Sequence, residues 1–401
     1  MMKNTVLLIT AFLISGLAAG QQITDYLLQA KALSESGRPG ESVELLSGVI
    51  GKIQDARLFT GRAEAKLLGG DFSGAISDFN AANDISGFSG EYGLAKIYAL
   101  KGDAPTSLYH LELHMKSPYR KSEKEILLDP SFSNIENKPE WRIFWRRDWY
   151  TVPEQKTSEV EYYVSVNKTE EAREILSELK RDYPYNNLVY YAGALIALSG
   201  KRFSEAVKTL SELLSAEPSN EKYLRVLAKA QTGLSNYAGA SDTYTRLLNL
   251  GVADAQLLIL RAECYRKTGE NPRAIADIEK FLTFYPDDKS ALSLAGKTEA
   301  SSGDNLKALE YFSRNLKLHP EDPECYIDRA DSYFVSKSWV WAANDYSMSL
   351  DLKPDNPDVW LSKGIATLNM GKEDDACHDF RKALSLGNKR APEYISKYCI
   401  K

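Results

Sequence analysis

Seven alanines, Ala172, Ala206, Ala240, Ala274, Ala308, Ala342 and Ala376, follow one another at unbroken intervals of 34 residues. Prolines keep the same step: Pro184, Pro218, Pro286, Pro320 and Pro354 each lie twelve residues after one of these alanines. A fixed period of this length means stacked copies of one supersecondary unit, because a single copy cannot bury its own apolar face. Twelve residues before each alanine stand Val160, Ala194, Ala228, Ala262, Gly296, Ala330 and Gly364, nearly all small. Four residues after each come Leu176, Leu210, Tyr244, Ile278, Phe312, Tyr346 and Phe380, all bulky. Small side chains let two helices approach closely, and the bulky one fills the groove at the next turn. Proline cannot continue a helix, so it closes the second helix of each unit. The period predicts an all-α chain of helix–turn–helix units.

This pattern resembles the tetratricopeptide repeat family: a small residue, an aromatic three later, then A-x3-F and a proline. The stretch AECYRKTGENPRAIADIEKFLTFYP, Ala262 to Pro286, carries it almost complete. Seven repeats fall between 153 and 390, and Ala63 with Ala75 and Phe79 marks another nearer the N-terminus. Ala30 with Leu46, and Ala95 with Tyr98 and Leu111, suggest two more. The resemblance implies a right-handed superhelical solenoid of about ten repeats with one irregular interruption. Departures are modest: Gly251-Val252 replaces one proline, and Asn315 and Ser349 occupy slots that are normally apolar or small. The final stretch, 391–401, reads as a lone helix capping the last apolar face.

The expected organisation is a leader at 1–20, a first block of about three repeats at 21–117, a connector at 118–152, and the seven repeats at 153–390. Residues 1–20 have a cation at Lys3, an apolar run from Thr5 to Leu17, and the small Ala18 and Gly20 before Gln21, the layout of a secretory signal peptide. The apolar run is short for a membrane span, so the expectation is an exported protein without direct membrane insertion. The ending ACHDFRKALSLG…YC resembles exported tetratricopeptide proteins of bacteria with an outer membrane, which favours the periplasm over secretion into the medium.

The connector concentrates three tryptophans and three arginines in EWRIFWRRDWY, Glu140 to Tyr150. Pro139 suits the first turn of a helix, on which Trp141, Phe144, Trp145 and Trp149 would share an arc of about 140°, the width of a core-facing stripe. Structural packing between the two repeat blocks is therefore the expectation. A nucleic-acid platform would need a positive field, and the net charge is −5.

The sequence contains no phosphate-binding loop, nucleophile elbow or zinc-protease motif. His110 and His114 stand one helical turn apart, but a metal site needs a third ligand and the other histidines, His319 and His378, lie in distant repeats. The reading is of a non-enzymatic protein without metal or cofactor. Of the four cysteines, Cys264 and Cys325 are two repeats apart, too far to bridge, whereas Cys377 and Cys399 could join at the cap or remain as buried thiols.

In this family the first helix of each pair lines a groove that holds an extended peptide or partner helix. By that analogy the groove residues are Tyr191, Leu195 and Leu198, then Lys222, Arg225 and Lys229, then Arg266, Lys267 and Lys297. Later repeats supply Ile327, Phe334, Leu361, Ile365 and Leu368, giving an apolar, basic, apolar order. The family's Lys/Asn/Arg carboxylate set is not transferred, because Lys229 and Lys297 replace its asparagine-like groups. The expected function is an exported scaffold binding a protein or peptide, with an acidic segment, inside a cell-envelope assembly. The rivals are a glycan or cell-wall binder using the aromatic connector, and an accessory subunit of an envelope enzyme.

Overall fold

The computed structural model describes residues 22–400; the leader expected at 1–20 lies outside them. Every regular element among the described residues is helical. The protein divides into two compact units, one up to Leu257 and the other from Leu258.

The first unit begins with α1 (22–35) and α2 (Pro39–Ile50), then the pairs α3 (Ala56–Leu68) with α4 (Phe72–Ile85) and α5 (Glu91–Leu100) with α6 (Ala104–Met115). The irregular segment follows: α7 (Glu123–Leu127), a 3-10 turn at Pro130–Phe132, and α8 (Pro139–Phe144). Regular pairs then resume with α9 (Val152–Ser165) and α10 (Thr169–Asp182), α11 (Asn187–Ser199) and α12 (Phe203–Ala216), and α13 (Glu221–Gly233) and α14 (Tyr237–Asn249). In the second unit α15 (Gln256–Lys267) leads to α16 (Asn271–Phe284), α17 (Lys289–Ser301) to α18 (Asn305–Leu318), and α19 (Pro323–Val335) to α20 (Trp339–Leu352). The last pair is α21 (Pro357–Asn369) with α22 (Glu373–Ser385), and α23 (Ala391–Tyr398) packs on α22.

Local chemistry repeats with the period. Second helices end two residues before Pro184, Pro218, Pro286, Pro320 and Pro354, because the residue ahead of a proline is pushed out of the helical region. Asn186, Asn220, Asp254, Asp288, Asp322 and Asn356 then accept hydrogen bonds from amides in the next first turn. Between the helices of each pair one residue takes positive φ: Asn167, Lys201, Ser235, Gly269, Gly303, Lys337 and Gly371, again 34 apart. Where a valine replaces the proline, Gly251 takes φ +76° and turns the backbone instead.

Within a unit, each second helix lies against its own first helix and the first helix of the next pair. All seven register alanines are fully buried, and the bulky residues four later are buried with them. At two pairs the small residue must be glycine: a Cβ on Gly296 would stand 2.4 Å from the Phe312 ring, and one on Gly364 2.6 Å from Phe380. Asn315, the misfit in an apolar slot, is 1% exposed and donates through Nδ2 to the Lys289 carbonyl at 3.0 Å. Replacing the fully buried Ala274 by leucine should overpack α15 against α16 and cost about 1–3 kcal/mol, read as a lowered thermal midpoint. An unmoved midpoint would mean Ala274 does not face its partner helix.

The connector departs from expectation. Helix α8 stops at Phe144, so Trp149 is not on it; the backbone turns back, Trp149 stacks on Phe144 at 4.7 Å, and its Nε1–H donates to the Phe144 carbonyl at 2.8 Å. That bond satisfies one of the carbonyls a helix end leaves open. Trp141 and Phe144 are buried in a core with Leu111, Met115, Ile126, Phe132 and Ile135, while Trp145 and Trp149 lie partly buried on it. This core draws on α5, α6 and the connector alone, so the rings close the third pair rather than join the two blocks.

Candidate functional site

The first unit holds a cavity of about 170 Å³ on the first-helix side of α9, α11 and α13. The period explains part of its lining. Glu154, Leu188 and Lys222 are equivalent positions 34 residues apart, as are Thr157 with Tyr191, and all five line the cavity. Glu161, one turn on from Thr157 in α9, lines it too. The other wall comes from the connector: Arg120, Lys121, Ser122 and Tyr150. Tyr119, one residue earlier, instead lines a second cavity of about 450 Å³ together with Arg57, Thr60 and Ile85.

Hydrogen bonds hold the connector in place. Tyr150 Oη donates to the Lys121 carbonyl at 2.7 Å, and Arg120 donates through Nη1 to the Trp149 carbonyl at 2.8 Å and through Nη2 to Glu154. The Arg120 guanidinium also sits 5.0 Å from the Tyr150 ring centre. Tyr191 is buried and packs 5.3 Å from Tyr223. Burial, then the charge of Glu161 and a hydrogen bond to it, hold the Tyr191 phenol above its usual range, so it stays protonated and donates.

The anticipated groove residues divide by environment. Tyr191 and Leu195 are buried, Leu198 is half-buried, and Lys222 and Lys229 are exposed with no ion pair among the described residues. Arg225 is not a free cation: its Nε meets Glu221 and its Nη1 meets Asp254, both at 2.8 Å. In the second unit Arg266 is half-buried and Lys267 exposed, while Lys297 pairs with the buried Asp328 at 2.8 Å. The basic row is thus reduced, because acidic side chains from the same helix, the following loop or the next repeat neutralise two of its members.

The two histidines serve packing. His110 Nδ1 meets the buried Glu91 at 2.7 Å, and His114 Nε2 accepts from the Lys121 amide at 3.1 Å. Burial, then the Lys121 charge, lowers the His114 pKa to about 4, so the ring is neutral near pH 7. Among the described residues no group of three or more metal-ligating side chains converges. At the C-terminus Cys377 and Cys399 form a disulfide with Cα atoms 5.6 Å apart, and Cys264 and Cys325 are buried.

Three residue sets escape a reading of the sequence. Glu154, Thr157 and Glu161 stand in register with Leu188, Tyr191 and Leu195, so the period could have found them. Connector residues Arg120, Lys121 and Tyr150 carry no periodic signal. The third set is a recurring cation–aspartate pair sixteen residues apart: Arg62–Asp78, Arg261–Asp277, Arg329–Asp345 and Lys363–Asp379.

Residues 225–289, inside the regular array, match the family model for the tetratricopeptide repeat. Over those residues the chain carries tetratricopeptide repeats. No curated protein matches it in sequence. Among solved structures, a tetratricopeptide repeat protein from Parabacteroides merdae is similar at 22% identity, over 62% of this chain and 99% of that one, with a TM-score of 0.48. The C-terminal part of a repeat protein from Cytophaga hutchinsonii is similar at 16% identity, over 59% and 98%, with a TM-score of 0.49. The APC/C hetero-tetramer Cut9–Hcn1 is similar at 13% identity, over 94% and 83%, with a TM-score of 0.47. The connector, which carries no periodic signal, supplies one wall of the cavity described above.

Proposed function

We propose that this protein is an exported, non-enzymatic scaffold whose first-unit groove binds an extended segment of another protein, as part of a cell-envelope assembly. The observation that carries the groove reading is the cavity lined jointly by Tyr191 and Lys222 from the repeats and by Arg120 and Tyr150 from the connector. Flat, rigid tyrosines beside the exposed, unpaired Lys222 suit a segment that presents an acidic residue bordered by apolar ones. Export rests on the layout of residues 1–20, and a mature N-terminus at Gln21 in protein purified from the native cell is the expected result. Among the described residues no helix is long and apolar enough to cross a membrane. Glycan binding by the tryptophans is disfavoured, because Trp141 is 6% exposed and its neighbours are partly covered.

The partner is best identified by crosslinking in the native cell. Lys222→Glu with Lys229→Glu should then weaken its binding by about tenfold at low salt, and less as salt rises. Both side chains are exposed and unpaired, so the fold should be unaffected. Arg225 is left out because its reversal would break two native ion pairs. Undiminished binding by the double variant would place the partner elsewhere.

A further inference from the structure

One turn of the array breaks its period and touches a distant part of the same unit. Between Pro184 and Pro354 the proline register fails only at 252, where Gly251-Val252 stands instead. Gly251 takes φ +76°, a region closed to proline and rarely adopted by a β-branched residue. The turn lies against the N-terminal pairs: a Cβ on Gly251 would stand 2.8 Å from Arg57 Nη1 and 3.4 Å from Thr24 Oγ1. The glycine is thus needed twice, for its φ and for the close approach.

Thr24 and Arg57 occupy a defined place in the period. Each stands six residues before the small residue of its pair, Ala30 and Ala63, as Glu154, Leu188 and Lys222 stand before Val160, Ala194 and Ala228. In α9, α11 and α13 that register position lines the cavity of about 170 Å³. In the first two pairs it faces the chain's own turn instead, and Thr24 is 4% exposed. Arg57 is held for the contact, because its Nε and Nη2 donate to Asp55 at 3.0 and 2.9 Å and leave Nη1 toward the glycine.

The division of the chain agrees with this return. The period runs unbroken past 257, yet the first compact unit spans the irregular connector and ends at Leu257, just after the turn. The contact is also thin. The apolar core of α1 to α4 takes no residue from the turn, and Leu250 is 42% exposed. Contacts that bury little apolar surface are those that open most readily.

We propose that the turn 250–254 is a clasp: it closes the first unit on its own N-terminal pairs and covers, at Thr24 and Arg57, the first-helix position that a partner segment would otherwise meet. The closure stands independently of the groove reading above; its autoinhibitory effect rests on that reading.

Two measurements on the full-length protein test the clasp. Both are read by mass mapping, which keeps Cys264, Cys325 and the 377–399 bridge apart from the result. In Thr24→Cys with Gly251→Cys the two Cβ atoms would lie within about 5 Å, in reach of a disulfide. Mild oxidation should join them about tenfold faster in the native protein than in denaturant, because closure raises their effective concentration. Equal rates would overturn the clasp. In Thr24→Cys alone the thiol should be shielded. Adding Gly251→Val forces a branched side chain into the left-handed region against Arg57, and should raise alkylation of that thiol by a maleimide about tenfold with the helical circular dichroism unchanged. An unchanged alkylation rate would mean that something other than the turn covers Thr24, and would overturn the autoinhibitory contact. Where Gly251→Val lowers the helical signal, the bridging rate decides. Neither readout involves a partner, so failure of the clasp is distinct from failure of the groove reading, which the Lys222 and Lys229 double variant tests.

Discussion

Replacing Asp345 by alanine should destabilise the second unit by about 3 kcal/mol, the lower end of what is lost when one member of a buried ion pair is removed. Arg329 on α19 donates through Nε and Nη2 to the two carboxylate oxygens of Asp345 on α20, at 2.7 and 2.8 Å. Both side chains are largely covered, at 23% and 9% exposure, so the variant strands a guanidinium where water reaches it poorly. The cost arises mainly from that stranded charge. Converting both residues together, Arg329→Met with Asp345→Leu, should therefore stay close to the parent stability. In a stacked array disturbance passes mainly to neighbours, so hydrogen exchange should rise in α19 and α20, then in α18 and α21. If Asp345→Ala leaves exchange there unchanged, the pair is a solvated surface contact.

Removing the C-terminal bridge should have an effect of similar size. The disulfide closes a loop of 22 residues, for which the entropy of the unfolded polymer predicts about 3 kcal/mol. Its consequence should be local, because α23 has few other attachments. Ala391 is its one fully buried residue, and Tyr394 and Ile395 are only partly buried against the core that holds Phe380 and Leu361. Cys377→Ser with Cys399→Ser should raise hydrogen exchange through α23 and the facing parts of α21 and α22, leaving α15 to α18 protected. The parent under reducing conditions should behave alike. Protection of α23 that persists in both would show that apolar packing alone holds the cap.

The two effects share one kind of cause. A cation sixteen residues before an aspartate is a local sequence relation that folding turns into a tie between the helices of one pair. A bridge between 377 and 399 does the same where α23 lies against α22. Both act on stability and lie away from Lys222 and Lys229, so they separate folding defects from binding defects in any variant of those two residues.

Much of the architecture is legible in the primary structure, for a physical reason. Helix ends, caps and close-packed small residues depend on neighbours within one 34-residue unit, and each unit repeats the same solution. Ala172, Ala206 and their successors mark the helix crossings, the prolines mark where second helices stop, and Gly296 and Gly364 stand where a phenylalanine ring lies against the backbone. The places of Tyr191, Leu195 and Lys222 on the first helices follow from the same spacing. Charge compensation does not. Arg225 looks like a binding cation until Asp254, 29 residues on, is brought beside it, and Lys297 until Asp328 is. The connector is opaque for a related reason: without a period, nothing in EWRIFWRRDWY says that α8 ends at Phe144 or that Trp149 folds back on it. Nor could spacing reveal that Arg120 and Tyr150 close a cavity over Thr157 and leave its hydroxyl without a partner. Periodic, short-range packing is written residue by residue, whereas pairing and enclosure depend on which distant segments folding brings together.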